Sequence, residues 1–202
     1  VLPDAVATAY RAARLAGMPA GGRACVLGAG GVGTHVLQIL QILDPSTTLV
    51  GVVRSPSSRD RLEAAGFEAD IDDDGLLRRL RQRYGSFDAV VDFTGRPSTP
   101  ALGVRLLHAG GILVLGSVLD GDLTTGPAVA VQSRELVVRG AYSSSLADLR
   151  AVVDLARSGR LDLSHSVSHV RRLENVEDAF AELEARPAGL VRMVLTTGAG
   201  LT

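Results

Sequence analysis

Residues 25–40 read CVLGAGGVGTHVLQIL and place four glycines within six positions, between two apolar runs. Gly28, Gly30 and Gly33 fit the pattern G-x-G-x-x-G, with Gly31 as an additional glycine. The pattern follows a run typical of a buried strand and precedes apolar residues at helical spacing, which is the context this motif requires. There the glycines permit a tight turn, the approach of a pyrophosphate to the backbone, and close packing of helix on strand. The stretch therefore predicts a dinucleotide-binding turn; the alternative is a glycine-rich turn without a ligand.

Strands and helices alternate along most of the remaining chain. Strands are predicted at residues 23–27, 48–53, 67–71, 87–93, 111–115 and 135–142. Helices are predicted at residues 3–16, 32–43, 59–65, 74–84, 100–108 and 146–157. Such alternation is typical of a parallel sheet, and runs such as ACVLG and GILVL are apolar on both faces, as a sheet covered on both sides requires. The sequence predicts an α/β fold, a Rossmann doubly wound sheet of six parallel strands with helices on both faces.

The character of the sequence changes near residue 161. From there the pattern predicts a strand, a helix and a strand, at residues 167–171, 176–184 and 190–196. We therefore expect two parts, a Rossmann dinucleotide-binding domain over residues 1–160 and a short C-terminal segment over residues 161–202.

Composition excludes several classes of function. The chain has 202 residues, a net charge of −1 and only 3% aromatic residues, so a basic nucleic-acid surface with stacking side chains is not expected. No apolar run reaches the roughly 18 residues of a membrane-spanning helix. Lysine is absent, which excludes Schiff-base chemistry, a lysine general base and a Walker-type phosphate loop within this chain. The single cysteine, Cys25, cannot form an internal disulfide, so a reducing, cytoplasmic location is the expectation.

The end of the second predicted strand indicates which dinucleotide fits. A carboxylate about 20 residues beyond the last glycine would bind the ribose 2′-hydroxyl of NAD. That position is occupied by Val53, and Arg54, Ser55 and Arg59 follow it. A carboxylate would repel the 2′-phosphate of NADP, whereas arginine and serine can hydrogen-bond to it. We therefore expect NADP(H), with NAD(H) as the alternative in which these arginines belong to a solvated loop.

Six segments together resemble a known family. They are LPDAVATAYRA, VLGAGGVG, FDAVVDFTG, LLHAGGILVLGS, ELVVRGAY and VEDAFAELEA followed by RMVL. In this order they resemble the medium-chain dehydrogenases and reductases, the zinc-type alcohol dehydrogenases and quinone reductases. The resemblance covers essentially the whole chain, and it implies a Rossmann cofactor domain followed by a return to the catalytic domain. The large N-terminal catalytic portion of that family, a barrel-like all-β unit, has no counterpart in these residues.

The resemblance also implies where the cofactor binds. The pyrophosphate loop would comprise Gly28, Gly30, Gly31, Val32 and Gly33. The loops after the fourth and fifth strands would line the adenosine and nicotinamide path, through Thr94, Gly95, Gly116 and Ser117. Thr8 resembles a threonine that packs against the nicotinamide ring. Arg192 resembles an arginine that reaches back to the pyrophosphate; the alternative is an ordinary exposed strand arginine.

No metal site and no catalytic residue are expected within this chain. In zinc-dependent members one zinc ligand lies near the position of Asp4, but a catalytic zinc needs three protein ligands. We therefore interpret Asp4 as an acid near the start of a helix, stabilised by the helix dipole. The four-cysteine structural zinc loop is absent, and the four histidines lack ligand spacing; these are His35, His108, His165 and His169.

The leading hypothesis is an NADP(H)-dependent oxidoreductase that transfers a hydride to or from a carbonyl, an alcohol or an activated alkene. This chain would be its cofactor-binding portion, weakly active or inactive alone because the substrate pocket and proton donor would come from the catalytic portion. The main alternative is a non-catalytic NAD(P)-binding or interaction module. An S-adenosylmethionine-dependent transferase ranks last, because it explains neither the arginines after the second strand nor the RMVL strand.

Two partners are expected besides the cofactor: a small-molecule substrate and the catalytic portion itself. The resemblance further implies a homodimer through the last strand of the sheet, ELVVRGAY at residues 135–142. From the sequence alone, those residues could equally form a central strand.

Overall fold

Six parallel strands form the sheet that organises the first part of the chain. They are β1 (Arg23–Leu27), β2 (Thr48–Val53), β3 (Glu68–Ile71), β4 (Phe87–Asp92), β5 (Leu107–Leu115) and β6 (Val137–Gly140). Their order across the sheet is β3-β2-β1-β4-β5-β6, and every neighbouring pair is parallel. The predicted Rossmann doubly wound fold is therefore confirmed. Since β6 is the last strand of this sheet, the alternative that it lies centrally is wrong.

The computed structural model describes residues 1–119, 121–185, 187 and 189–198. The chain divides into two compact units, Val1–Leu161 and Asp162–Thr202. Within the described residues, no helix is both long enough and apolar enough to cross a membrane.

The helices of the first unit connect the strands as the alternating pattern predicts. They are α1 (Ala7–Ala16), α2 (Gly33–Leu43), α3 (Pro56–Ala64), α4 (Leu76–Tyr84), α5 (Thr99–Leu106), α6 (Ala128–Gln132) and α7 (Leu146–Arg157). The first predicted helix is divided in two, because a π-helical turn, Leu2–Val6, precedes α1. Helix α3 begins three residues earlier than predicted, since the Ser55 side chain accepts a hydrogen bond from the Ser58 N–H and Pro56 occupies the first turn. The short helix α6 was not predicted.

The central strands β1 and β4 are buried on both faces. Cys25, Val26, Val90 and Val91 have no exposed surface, as expected for a parallel sheet covered by helices on each side. Burial raises the pKa of the Cys25 thiol, and the nearby charges of Asp70 and Asp92 act in the same direction. The thiol is therefore protonated at neutral pH and unsuited to act as a nucleophile or metal ligand.

A buried carboxylate joins the two helices α1 and α7. Asp148 forms a capping box with Ser145 at the start of α7, and its carboxylate also contacts Arg11 Nη1 at 3.5 Å and Arg14 Nη1 at 3.4 Å. Burial opposes ionisation of this carboxyl group, but the Ser145 hydroxyl and N–H groups and Arg11 outweigh that effect and hold its pKa below the usual range. The negative charge of Asp148 thus supports both the N-terminal cap of α7 and the contact between α1 and α7.

We expect Asp148→Asn to lower the free energy of unfolding by about 2 kcal/mol. This is less than the roughly 3–5 kcal/mol of a fully buried pair because both arginines remain partly in solvent. Since the pKa is lower in the folded chain than the roughly 3.9 of an unfolded aspartate, the stabilisation is complete above about pH 5 and lost as the pH falls. Urea unfolding at pH 7 and pH 3.5 measures both effects.

The exposed Asp154 of the same helix provides the control. Asp154→Asn should leave the stability unchanged within about 0.5 kcal/mol. Equal stability of the Asp148 variant and the wild type at pH 7 would contradict the role assigned to this carboxylate.

The second unit contains a parallel strand pair and one helix. Strands β7 (His169–Arg172) and β8 (Met193–Thr196) pair in parallel, and helix α8 (Val176–Ala185) lies between them in sequence. Arg171 on β7 forms a two-point ion pair with Glu182 on α8, at 2.7 and 2.9 Å. The predicted succession of strand, helix and strand is present, with both strands shorter than predicted.

Candidate functional site

The glycine loop lies at the carboxyl end of the sheet, between β2 and β4. The N–H groups of Gly28 and Ala29 both donate to the Val52 carbonyl, at 3.0 and 2.9 Å. Gly28 has a φ of +81°, and a Cβ at this residue would lie 2.9 Å from the carbonyl carbon of Phe93, which follows β4. Only glycine therefore fits, and the loop is held at the point where the strand order reverses, where doubly wound sheets bind ligands.

Gly30 and Gly33 have opposite surroundings. A Cβ at Gly33 would lie 2.4 Å from the Gly28 carbonyl oxygen, so the start of α2 packs directly on the loop. A Cβ at Gly30 would meet nothing within 4 Å. Packing thus requires glycine at residue 33. Gly30 faces open space, which would let a ligand approach the backbone there.

Two backbone N–H groups of the glycine loop have no hydrogen-bond acceptor in the described part of the protein. Among the described residues, the N–H groups of Gly31 and Val32 donate to no backbone or side-chain acceptor. The Thr34 N–H and hydroxyl both donate to the Gly30 carbonyl, at 3.0 and 2.8 Å, which fixes the loop against the first turn of α2. That turn carries no acidic side chain. Free N–H groups and the positive end of an eleven-residue helix can together bind an anionic group such as a phosphate.

The loop after β4 is held by a buried acid. Asp92 is 2% exposed and accepts hydrogen bonds from the Thr94 N–H at 2.8 Å, the Thr94 hydroxyl at 2.7 Å and the Thr99 hydroxyl at 2.6 Å. The Thr94 side chain therefore faces the fold and shapes the loop, and Gly95 follows with a φ of +70°. Sequence reasoning missed Asp92 and Thr99, although an acid at the end of a buried strand, two residues before a threonine, signals such a loop.

A cleft of about 530 Å³ opens beside the ends of β5 and β6. It is lined by three of the predicted site residues, Thr8, Gly116 and Ser117, and also by Asp4 and Tyr142. The Thr8 and Ser117 hydroxyl oxygens are buried and have no hydrogen-bond partner among the described residues. Because buried hydroxyl groups normally have a partner, these two are suited to a polar ligand in the cleft.

Gly116 connects this cleft to the loop after β4. A Cβ at Gly116 would lie 2.3 Å from Cζ of Phe93, so the two loops pack too closely for any side chain here. The Gly116 N–H donates to the Asp92 carbonyl at 2.9 Å. The loops after β4 and β5 are therefore held together by this packing and this hydrogen bond.

The predicted site residues at the end of β2 and just after it have different roles. Val53 is buried, Ser55 caps α3, and Arg59 lies 3.6 Å from Asp60, whereas Arg54 is exposed directly after the strand. Asp72, which the sequence did not single out for this site, also contacts the end of β2. The Asp72 N–H donates to the Val53 carbonyl at 2.8 Å, and the Asp72 carboxylate accepts a hydrogen bond from the Arg96 guanidinium.

The last predicted residue, Arg192, belongs to the second unit. Its Nη1 donates to the Ser166 carbonyl at 2.8 Å. The reach of Arg192 to a pyrophosphate stays a prediction.

No metal-binding group stands out in the part of the chain that the structure describes, where no cluster of three or more His, Cys, Asp or Glu side chains could hold an ion. Asp4 lies on the wall of the cleft. His108 lies at the opposite, amino-terminal edge of the sheet, where its hydrogen bond with Asp88 raises the histidine pKa. It is therefore remote from the candidate site.

Comparison with known proteins identifies the family. The family model described as zinc-binding dehydrogenase matches residues 31–158, which begin within the glycine loop, at Gly31, and include the loops after β4 and β5. The chain belongs to this family. A D-xylulose reductase A from Aspergillus oryzae is 31% identical over 98 residues, which are 48% of this chain and 27% of that protein.

Solved structures of longer proteins share the fold of this chain. A short chain alcohol dehydrogenase from Escherichia coli CFT073, complexed with NADH, superposes with a TM-score of 0.87 at 16% identity, over 96% of this chain and 57% of that one. A zinc-binding dehydrogenase from Sinorhizobium meliloti 1021, bound to NADP, gives 0.83 at 24% identity, over 96% and 58%. The chain thus spans little more than half the length of these structures.

We expect Gly33→Ala and Gly30→Ala to differ in stability. A methyl group at residue 33 must displace the Gly28 carbonyl or the helix, so the free energy of unfolding should fall by about 2 kcal/mol. A methyl group at residue 30 meets open space and should change it by less than about 0.5 kcal/mol. Parallel thermal unfolding curves measure both; equal destabilisation would contradict the assignment of separate roles.

Proposed function

We propose that this chain, a member of the zinc-binding dehydrogenase family, binds NADP(H) and forms the cofactor-binding portion of an oxidoreductase. One observation carries the proposal. The glycine loop and the cleft both lie at the carboxyl ends of the strands, and both present polar groups without protein partners. The chain also belongs to a family of dehydrogenases. Unpartnered buried hydroxyls and free N–H groups are what a dinucleotide site needs, and a purely structural turn does not require them.

Each part of the cofactor has residues suited to it. The N–H groups of Gly31 and Val32 would hold the pyrophosphate at the start of α2. Thr8 and Ser117 would bind the nicotinamide end through their hydroxyls, since these lie buried on the wall of the cleft. When bound, the nicotinamide supplies or accepts the hydride; the chain binds and orients it.

The charge after β2 favours NADP(H) over NAD(H). Arg54 is exposed at the strand end and can donate to a 2′-phosphate, whereas no carboxylate follows the strand directly. Asp72, an acid whose N–H binds the end of β2, has its carboxylate paired with Arg96, which reduces its capacity to accept from a ribose hydroxyl. Solved structures with this fold contain NADH in one case and NADP in another, so the fold alone does not select the cofactor. The preference for NADP(H) is therefore argued from the residues of this chain.

Calorimetric titration of the chain with NADPH and with NADH tests both parts of this proposal. We expect NADPH to bind roughly tenfold or more tightly than NADH, because a charged hydrogen bond to the 2′-phosphate is present only for NADPH. Arg54→Gln should weaken NADPH binding by a similar factor and leave NADH binding within about twofold. Arg150→Gln, an exposed arginine on α7, is the matched control and should change neither. Tighter binding of NADH to the wild type would refute the NADP(H) assignment.

The reaction proposed for the protein is hydride transfer to or from a carbonyl, an alcohol or an enone. The solved relatives extend well beyond the matched region, and we propose that a catalytic portion of this kind supplies the substrate pocket and the proton donor. The buried, unpaired thiol of Cys25 favours a reducing, cytoplasmic location.

A homodimer through β6 is the second part of the proposal. Among the described strands, β6 pairs with β5 only, so its other edge presents free backbone groups. Val137 on this strand and Tyr142 after it are large apolar side chains that are 37% and 85% exposed. A two-fold axis at this edge would pair the strand with its copy and cover these side chains.

Size-exclusion chromatography with light scattering tests the dimer. We expect a mass of about twice the 21.0 kDa of the chain for the wild type, and a shift towards the monomer for Val137→Glu, because it introduces a charge at the paired edge. Leu43→Glu, which places the same charge on an exposed apolar position at the end of α2, should remain dimeric. A monomeric wild type at high micromolar concentration would contradict the proposal.

A further inference from the structure

One ion pair joins two loops whose strands are not neighbours in the sheet. Asp72 directly follows β3, Arg96 lies in the loop after β4, and their side chains pair with each other. In the strand order β3-β2-β1-β4, the strands β2 and β1 lie between these two loops. Because adjacent strands are about 4.8 Å apart, β3 and β4 are separated by about 14 Å. The Asp72–Arg96 pair therefore crosses the carboxyl ends of β2 and β1.

The backbone is anchored on both sides of this ion pair. The Asp72 N–H donates to the Val53 carbonyl at 2.8 Å, which fixes the residue to the end of β2. The Arg96 N–H donates to the Thr94 hydroxyl at 3.2 Å, and the Arg96 carbonyl accepts the Thr99 hydroxyl at 2.9 Å. The pair can therefore break and form again through its two side chains alone, while both loops keep their conformation.

The two side chains depend on each other for charge compensation. Among the residues that the structure describes, neither Asp72 nor Arg96 has a second ion-pair partner, and the neighbouring Arg79 is engaged by Asp70 and Asp73. The Asp72 and Arg96 side chains are 18% and 45% exposed, so solvent weakens their attraction. Ion pairs in such surroundings shift an equilibrium by roughly 1.5- to fivefold. The pair thus favours the closed arrangement and still opens readily.

The proposed cofactor must occupy the same edge of the sheet. Arg54, the proposed partner of the 2′-phosphate, follows β2, and the free N–H groups proposed for the pyrophosphate belong to the loop after β1. The adenosine half would therefore lie at the two strand ends that the ion pair crosses. The space beside the glycine loop is open there, since a Cβ at Gly30 would meet nothing within 4 Å.

We propose that the Asp72–Arg96 ion pair is a strap across the adenosine end of the site. It opens to admit or release the dinucleotide and closes again in the free and in the bound chain. This assignment rests on the proposed function, because it requires the adenosine half to bind at the ends of β1 and β2. A strap of this kind controls the rates of binding and release, while the equilibrium affinity is set by the groups beneath it.

Stopped-flow mixing of the full chain with NADPH and with NADH, followed by the fluorescence of the reduced nicotinamide, measures both rates. We expect Asp72→Asn, which keeps the size of the side chain and removes its charge, to raise the association and dissociation rate constants by the same factor, roughly two- to fivefold. The dissociation constant should change by less than about 1.5-fold. The factor should be equal for the two dinucleotides, because an obstruction does not depend on the charge of the ligand.

Asp74→Asn is the matched control, since it removes the same charge from an exposed residue of the same loop that forms no ion pair within the described part of the chain. It should leave all rate constants within about 1.5-fold of the wild type. Circular dichroism of each variant verifies that the fold is retained.

Two results would overturn the strap and leave the proposed function intact. One is unchanged rate constants in Asp72→Asn. The other is faster association of NADPH alone, which would show that the carboxylate merely repels the 2′-phosphate. If neither dinucleotide binds to the folded wild type or to Asp72→Asn, the proposed function fails, and the strap with it.

Discussion

The contact between Gly33 and the Gly28 carbonyl is the constraint on which the rest of the site depends. A β-carbon at residue 33 would lie only 2.4 Å from that oxygen, so the first turn of α2 packs on the backbone of the loop that precedes it. This close packing directs the positive end of the helix to the carboxyl edge of the sheet. It also leaves the N–H groups of Gly31 and Val32 free. The anion-binding capacity of the loop is thus a consequence of packing rather than of any charged side chain.

The neighbouring loops are braced against the same edge. Asp92 orders the loop after β4 through three hydrogen bonds from threonines, and Phe93 packs against Gly116 in the loop after β5. The Phe93 N–H donates in turn to the Leu27 carbonyl, the last residue before the glycine loop. Three successive loops therefore share one rigid frame, and preorganised donors of this kind bind a ligand without losing further conformational freedom.

The sheet and the glycine loop could be predicted because their signals are local. The apolar run before Gly28 and the helical spacing after Gly33 lie within sixteen residues, and periodicity resolves such elements well. The pairing of Asp72 with Arg96 could not be predicted in this way. These residues are 24 positions apart, and only the placement of β3 and the loop after β4 brings them together.

The same reason explains what was missed between α1 and α7. Asp148 reads in the sequence as an ordinary acid at the third position of a helix, and its capping box is a local pattern. Its contacts with Arg11 and Arg14 span more than 130 residues and follow from the packing of two helices. The division of the first predicted helix has no sequence signal either, since the π-helical turn differs from an α-helix only in its hydrogen bonds.

The unpartnered hydroxyls of Thr8 and Ser117 are the strongest physical argument that the cleft binds a ligand. Leaving a buried hydroxyl without a partner costs about 1–3 kcal/mol, a large fraction of the 5–15 kcal/mol that stabilises a typical domain. Alanine at residue 8 would avoid that cost and suit the alanine-rich helix α1 better, because threonine has a lower helix propensity. Stability alone gives no reason to retain these oxygens. A polar ligand that completes their hydrogen bonds would account for them. The same two groups would then reduce the stability of the unliganded fold and favour binding of the ligand, as is common at functional sites.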